Sequence, residues 1–85
     1  MIKVLICDDQ LIVCEGLSKI LSSDPQIRVV GMAHDGVEAL EQVANTQPDL
    51  VLMDLKMPLM NGIIATRNIR QQHPQVHVLV LTTYD

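Results

Sequence analysis

Three aspartates follow apolar runs at two separate places in the sequence. Asp8 and Asp9 come directly after the run 2–7, and Asp54 closes the run 50–54. Carboxylates in close contact repel and raise one another's pKa, and a hard divalent cation such as Mg²⁺ relieves that repulsion through oxygen ligands. A carboxylate beside such a cation can attack a phosphoryl group, because this chemistry depends mainly on positioning and charge neutralisation. If the aspartates meet, the sequence predicts a Mg²⁺ site and a phosphoryl acceptor.

The elements that must position these residues alternate along the chain. Strands are predicted for the apolar runs 2–7, 27–33, 50–54 and 76–81. Helices are predicted for 11–21, 35–44 and 61–71, the second opened by a capping-box spacing and the third by Asn61-Gly62. Such alternation predicts a parallel sheet covered by helices on both faces, with ligands beyond the carboxyl ends of the strands. Asp8, Asp9, Asp54 and Thr82, which follows the fourth run, are therefore expected at one edge.

The sequence also gives two expectations about how the predicted helices pack. Gly16 lies in the middle of the first helix, where glycine costs about 1 kcal/mol against alanine, so we expect close packing there. In the second helix, Val37, Leu40 and Ala44 are expected to form the buried face.

Composition excludes several classes of function. The chain has 85 residues and a net charge of −4, which predicts one small domain without a nucleic-acid surface. Its apolar runs are too short to span a membrane, and its start lacks the features of a signal peptide, so a cytoplasmic location is expected. Cys7 and Cys14 have no zinc or redox spacing and are expected to be buried thiols. His34, His73 and His77 are not clustered, which argues against a histidine phosphocarrier or metal role.

Two other classes use similar elements. A phosphatase with an aspartyl nucleophile has an Asp-x-Asp on its first strand, whereas Asp8 and Asp9 are adjacent, so strand alternation should aim them apart. A nucleotide or flavin site needs glycines that let phosphate approach the backbone, and the loop Asp8-Asp9-Gln10-Leu11 has none. The pattern favours a signalling module over both.

Short segments along nearly the whole chain resemble the receiver domain of bacterial response regulators. They occur in the family's order, as CDDQ (7–10), PDLVLMD (48–54), KMP (56–58), MNG (60–62) and LTT (81–83). The joint match, above all MDLKMPLMNG, is highly specific. The NGIIAT and LTTYD segments look most like regulators of the LuxR/NarL type, which carry a helix-turn-helix DNA-binding domain.

The resemblance implies a flavodoxin-like doubly wound α/β fold, here with four parallel strands in the order 2-1-3-4 and three helices. It implies that Asp54 is phosphorylated by a sensor histidine kinase, with no enzymatic activity beyond this self-catalysed transfer. For Mg²⁺, it implies Asp9 as a direct ligand, Asp8 as a ligand mainly through water, and the backbone carbonyl of Lys56 as the third protein ligand. Thr82 matches the hydroxyl that turns to the phosphoryl group.

The chain departs from the family after its fourth strand. A complete receiver has a fifth strand that ends in a lysine and two further helices, and no lysine follows Lys56 in this sequence. We therefore expect residues 1–85 to be an incomplete receiver domain that is phosphorylated poorly. We also expect the edge of strand four to be exposed and to promote self-association. DNA binding and control of transcription are expected of a C-terminal domain of the parent protein.

Overall fold

The computed structural model describes residues 1–81, which form one parallel sheet with three helices. The elements in chain order are β1 (Ile2–Cys7), α1 (Leu11–Ser22), β2 (Ile27–Ala33), α2 (Gly36–Thr46), β3 (Leu50–Asp54), α3 (Gly62–Gln72) and β4 (His77–Leu81). The strand order is β2-β1-β3-β4, which confirms the predicted fold and topology. Within these residues, none of the helices combines the length and apolarity needed to cross a membrane.

The starts of α2 and α3 follow from their capping residues. The carboxylate of Asp35 accepts a hydrogen bond from the Glu38 backbone N–H at 2.7 Å, as the capping-box spacing predicts. The amide oxygen of Asn61 accepts one from the Ile64 N–H at 3.0 Å. Each such bond satisfies a backbone donor that the helix cannot, and a cap of this kind typically stabilises a helix by about 1 kcal/mol.

The central strand β1 contributes side chains to a core on each face of the sheet. Leu5 and Cys7 belong to the core under α2 and α3, and Val4 and Ile6 belong to the core under α1. This alternation is what a strand buried on both faces requires. In the register between β1 and β3, Cys7 lies opposite Met53, so the two strands end side by side.

Two predictions about helix packing were wrong. The backbone around Gly16 is exposed, and apart from the adjoining residues and backbone of α1 itself, no atom of residues 1–81 lies within 4 Å of the place where a β-carbon would stand. On α2, Leu40 is partly buried and packs against the core as expected, but Val37 and Ala44 are exposed, and Ala39 and Val43 are buried in their place. The buried face is thus offset by one position from the predicted one. It includes the first residue of the helix, Gly36, which packs against the Met60 backbone where a β-carbon would not fit.

Both cysteines are buried, and they form no disulfide within the described residues. Burial is the main reason why the pKa of the Cys7 thiol is raised to about 12, with smaller contributions from Cys14 and Glu38. A thiol with such a pKa stays protonated and unreactive at neutral pH. The expectation of buried thiols is therefore confirmed.

Gly62 and Gly16 should respond in opposite ways to alanine. A β-carbon on Gly62 would lie 2.7 Å from the Leu55 Cα and closer still to the Asp54 carbonyl oxygen, and neither backbone can move cheaply. We expect Gly62→Ala to lower the free energy of unfolding by about 1–3 kcal/mol, because overpacking forces backbone shifts. Gly16→Ala should raise it by about 0.5–1 kcal/mol, since the site is open and helical.

Urea unfolding of the two variants beside the wild type tests this pair. Gly62→Ala with wild-type stability would show that the loop after Asp54 is not closely packed.

Candidate metal centre

The three predicted carboxylates meet at the carboxyl edge of the sheet. β1 ends at Cys7 and β3 at Asp54, and because Cys7 pairs with Met53, the residues that follow are neighbours. Asp8, Asp9 and Asp54 each bring one carboxylate oxygen to within 4.8 Å of the other two. Asp8 and Asp54 are buried, whereas Asp9 is exposed and leaves the group open to solvent. The juxtaposition predicted from the sequence is confirmed.

The alternation argument about Asp8 and Asp9 was wrong. Alternation holds only within a strand, and both residues lie beyond the last residue of β1. The Gln10 backbone N–H donates a hydrogen bond to the Asp8 carboxylate at 2.8 Å. This tight turn lets two adjacent aspartates place oxygens at one site, which a continuing strand would not allow.

Asp54 is fixed by the backbone of the loop that follows it. Its carboxylate oxygen Oδ1 accepts a hydrogen bond from the Lys56 N–H at 3.2 Å. The Gly62 N–H then donates to the Leu55 carbonyl at 3.0 Å, which folds the loop back onto the end of β3. The close approach of Gly62 to the Asp54 backbone explains why glycine follows Asn61. The predicted ligand role of the Lys56 carbonyl stays a prediction.

Burial and repulsion act together on Asp8. Burial is the largest cause that raises the pKa of its carboxyl group, and the charges of Asp54 and Asp9 raise it further, while the Gln10 N–H opposes the rise. A hard divalent cation stabilises the charged form of such carboxyl groups. It interacts with their oxygens in place of the water removed by burial, and its positive charge offsets their mutual repulsion. Three carboxylates, one of them solvent-accessible, therefore fit Mg²⁺.

The remaining site residues are placed as follows. The predicted switch residue Thr82 lies outside the described residues. Lys3 is at the opposite edge of the sheet, where its Nζ donates to the Thr46 carbonyl at 3.5 Å, so it cannot act at the aspartates. Sequence reasoning missed His34, whose Nδ1 lies 3.1 Å from the Asp8 carbonyl oxygen. The signal available was its position directly after β2, beside the end of β1.

The raised pKa of Asp8 predicts a pH-dependent stability. The folded state binds the proton more tightly than the unfolded chain, whose pKa is near the ordinary value of 3.8. The stability that Asp8 contributes is therefore present below that value and is lost as pH rises through the raised pKa. In Asp8→Asn, the amide oxygen can still accept the hydrogen bond from the Gln10 N–H, and the uncharged side chain does not lose stability as pH rises. We expect the urea midpoint of this variant to exceed that of the wild type at pH 7 in EDTA.

The difference in urea midpoint between Asp8→Asn and the wild type should disappear when the pH is lowered below the ordinary pKa of aspartate. Urea titrations between pH 3 and pH 8, with EDTA throughout, measure it. A wild-type chain at least as stable as Asp8→Asn at pH 7 would contradict the assigned repulsion.

Comparison with known proteins identifies the family of this chain. Residues 4–85 match the sequence model of the response regulator receiver domain. The chain is 51% identical over 80 residues to a protein-glutamate methylesterase/protein-glutamine glutaminase of Syntrophus aciditrophicus (strain SB), covering 94% of this chain and 23% of that protein. It is 45% identical over 84 residues to the transcriptional regulatory protein LnrK of Bacillus subtilis (strain 168), covering 99% of this chain and 38% of that protein.

Solved structures agree. The response regulator domain of Thermotoga maritima CheB superposes with a TM-score of 0.92 at 36% identity, covering 96% of this chain and 60% of that one. A LuxR-family regulator from Aurantimonas sp. SI85-9A1 superposes with a TM-score of 0.92 at 36% identity, covering 100% of this chain and 61% of that one. The relatives thus include both methylesterases and transcriptional regulators, and the chain spans only part of each. It belongs to the receiver domain family of two-component response regulators, whose members are regulatory modules.

Proposed function

We propose that Asp54 accepts a phosphoryl group from a sensor histidine kinase, and that this chain is the receiver part of a regulator that controls transcription. The observation that carries the proposal is the group of three carboxylates within 4.8 Å, with Asp54 buried at the end of β3. An aspartate that is held by the backbone beside two other carboxylates is suited to nucleophilic attack once a cation offsets the repulsion between these carboxylates and the phosphoryl oxygens.

Mg²⁺ is proposed as the cofactor, bound by Asp8, Asp9, Asp54 and the Lys56 backbone carbonyl. When bound, it would neutralise negative charge on the carboxylates and on the phosphoryl oxygens. In the transfer, an Asp54 carboxylate oxygen forms a bond to phosphorus and the P–N bond to the kinase histidine breaks, leaving its electron pair on the imidazole nitrogen. The Lys56 N–H holds Asp54 Oδ1 in place during this exchange.

Thr82 is proposed to supply the hydroxyl that turns to the phosphoryl group. Its position in the sequence supports this role, because Leu81 pairs with Asp54 across β3 and β4 and Thr82 is the next residue. A hydroxyl donor beside the acceptor would stabilise the negative charge of a phosphoryl oxygen.

Control of transcription is proposed for the whole regulator. The support is the similarity to LnrK and to the transcriptional regulatory protein DegU of Brevibacillus brevis, which is 43% identical over 84 residues. DNA binding is not proposed for these 85 residues, which carry a net charge of −4. The methylesterase relatives favour an alternative, in which the receiver regulates an enzyme domain instead.

Asp54→Asn should abolish phosphoryl incorporation. Incubation of the wild type with acetyl phosphate and Mg²⁺ should add the mass of one phosphoryl group. EDTA should prevent the addition. The matched control is Asp24→Asn, an aspartate before β2 at the other edge of the sheet, and it should label like the wild type. Intact-protein mass spectrometry gives the result.

Incorporation that persists in Asp54→Asn would disprove the assignment of the acceptor. Multiple turnover of a generic phosphate ester by the wild type would instead indicate a phosphatase.

The exposed edge at β4 is proposed to pair two copies of the chain. Among the described residues, β4 has only β3 as a neighbour, and Leu79 is 52% exposed on it. Unpaired backbone groups on an apolar edge strand promote pairing with another chain. We expect the 85-residue chain to sediment as a dimer or larger species, and Leu79→Lys to shift it towards monomer.

Ile12→Lys is the matched control, because Ile12 is also apolar and 79% exposed but lies on α1. It should leave the association unchanged. A wild-type monomer at high concentration, or equal dissociation by both substitutions, would exclude pairing through β4.

A further inference from the structure

The backbone carbonyl of Asp8 is contacted by two side chains from different elements. His34, which directly follows β2, places Nδ1 at 3.1 Å from this oxygen. Cys14, fully buried on α1, places Sγ at 3.4 Å from it. The two side chains are themselves 4.0 Å apart, between Sγ and Nδ1. The carbonyl therefore lies where the first helix and the end of the second strand converge.

Chemistry fixes the direction of both contacts. A carbonyl oxygen only accepts hydrogen bonds, so the imidazole must carry its hydrogen on Nδ1 and the thiol must donate its S–H. Burial is the main cause that raises the pKa of the Cys14 thiol, which keeps that hydrogen in place. Since Nδ1 already carries a hydrogen, the thiol has the carbonyl rather than the imidazole as its acceptor.

With these contacts, three polar groups of Asp8 form hydrogen bonds: its backbone N–H, its carboxylate and its backbone carbonyl. Its N–H donates to the Ala33 carbonyl at 2.9 Å, and its carboxylate accepts from the Gln10 N–H at 2.8 Å. The third group, the carbonyl, belongs to the rigid peptide plane that joins Asp8 to Asp9. The contacts at the Asp8 N–H and carbonyl therefore fix the backbone on both sides of the Asp8 Cα, and they set the peptide plane from which Asp9 continues.

We propose that His34 is a positioning residue for the cation site. As the Nδ1–H tautomer, and together with Cys14, it fixes the peptide between Asp8 and Asp9 so that their carboxylates are arranged before a divalent cation binds. The inference rests on the proposed binding of Mg²⁺ and adds to it a residue that contacts no cation. Preorganised partners behind the ligands are a general determinant of metal affinity.

Two matched variants test the role of His34. In His34→Asn the amide nitrogen can occupy the place of Nδ1, whereas in His34→Gln it lies one carbon further out. Mg²⁺ titrations can be followed through the backbone amide resonances of residues 9 and 54. For His34→Gln they should give a dissociation constant about three- to tenfold higher than that of the wild type, the expected effect of one lost hydrogen bond. His34→Asn should stay within about twofold of the wild type.

A second measurement needs no variant. The ¹⁵N–¹H spectrum of the His34 ring in the wild type should show the hydrogen on Nδ1. Finding it on Nε2, or equal Mg²⁺ affinities for wild type and His34→Gln, would overturn this inference and leave the proposed function intact. A wild-type chain that does not bind Mg²⁺ would overturn both.

Discussion

Repulsion among three carboxylates is the interaction that the rest of the structure has to balance. Asp8, Asp9 and Asp54 place oxygens within 4.8 Å of one another, and unit charges at about that separation repel by a few kcal/mol near a protein surface. The sheet imposes this proximity, because the paired ends of β1 and β3 are anchored by the buried residues Leu5, Ile6 and Met53. Hydrophobic packing on both faces thus holds together charges that would otherwise separate.

The loop after Asp54 links the carboxylates to the helices. Gly62 packs against the Asp54 backbone at the start of α3, and Gly36 packs against the Met60 backbone at the start of α2. Neither position has room for a side chain, so the loop is held between two helix starts and the end of β3. Any change in the charge or position of Asp54 therefore occurs in direct contact with the segment that begins α3.

The sequence predicted the parts of the molecule that depend on long apolar runs. The meeting of Asp8 with Asp54 was expected because parallel strands bring their carboxyl ends to one edge, and the start of α2 followed from the Asp35 cap. The strand order followed from the resemblance to receiver domains. Packing at single positions did not follow. The role of Gly16 and the buried face of α2 depend on which atoms lie opposite, and the closeness of Asp8 to Asp9 depends on where β1 ends. The contact between His34 and Asp8 depends on the register of β1 with β2, of which the sequence offered only the position of His34 directly after the second apolar run.

The central claim is that this carboxylate group is a divalent-cation site whose repulsion the cation removes. Urea unfolding at pH 7 in MgCl₂, compared with NaCl at equal ionic strength, tests it most directly. Mg²⁺ at ten times its dissociation constant should stabilise the wild type by about 1.4 kcal/mol, and Asp24→Asn by the same amount. Asp9→Asn should gain much less, because it lacks one of the three carboxylates. Equal stability of the wild type in the two salts, or an equal gain for Asp9→Asn, would contradict the account.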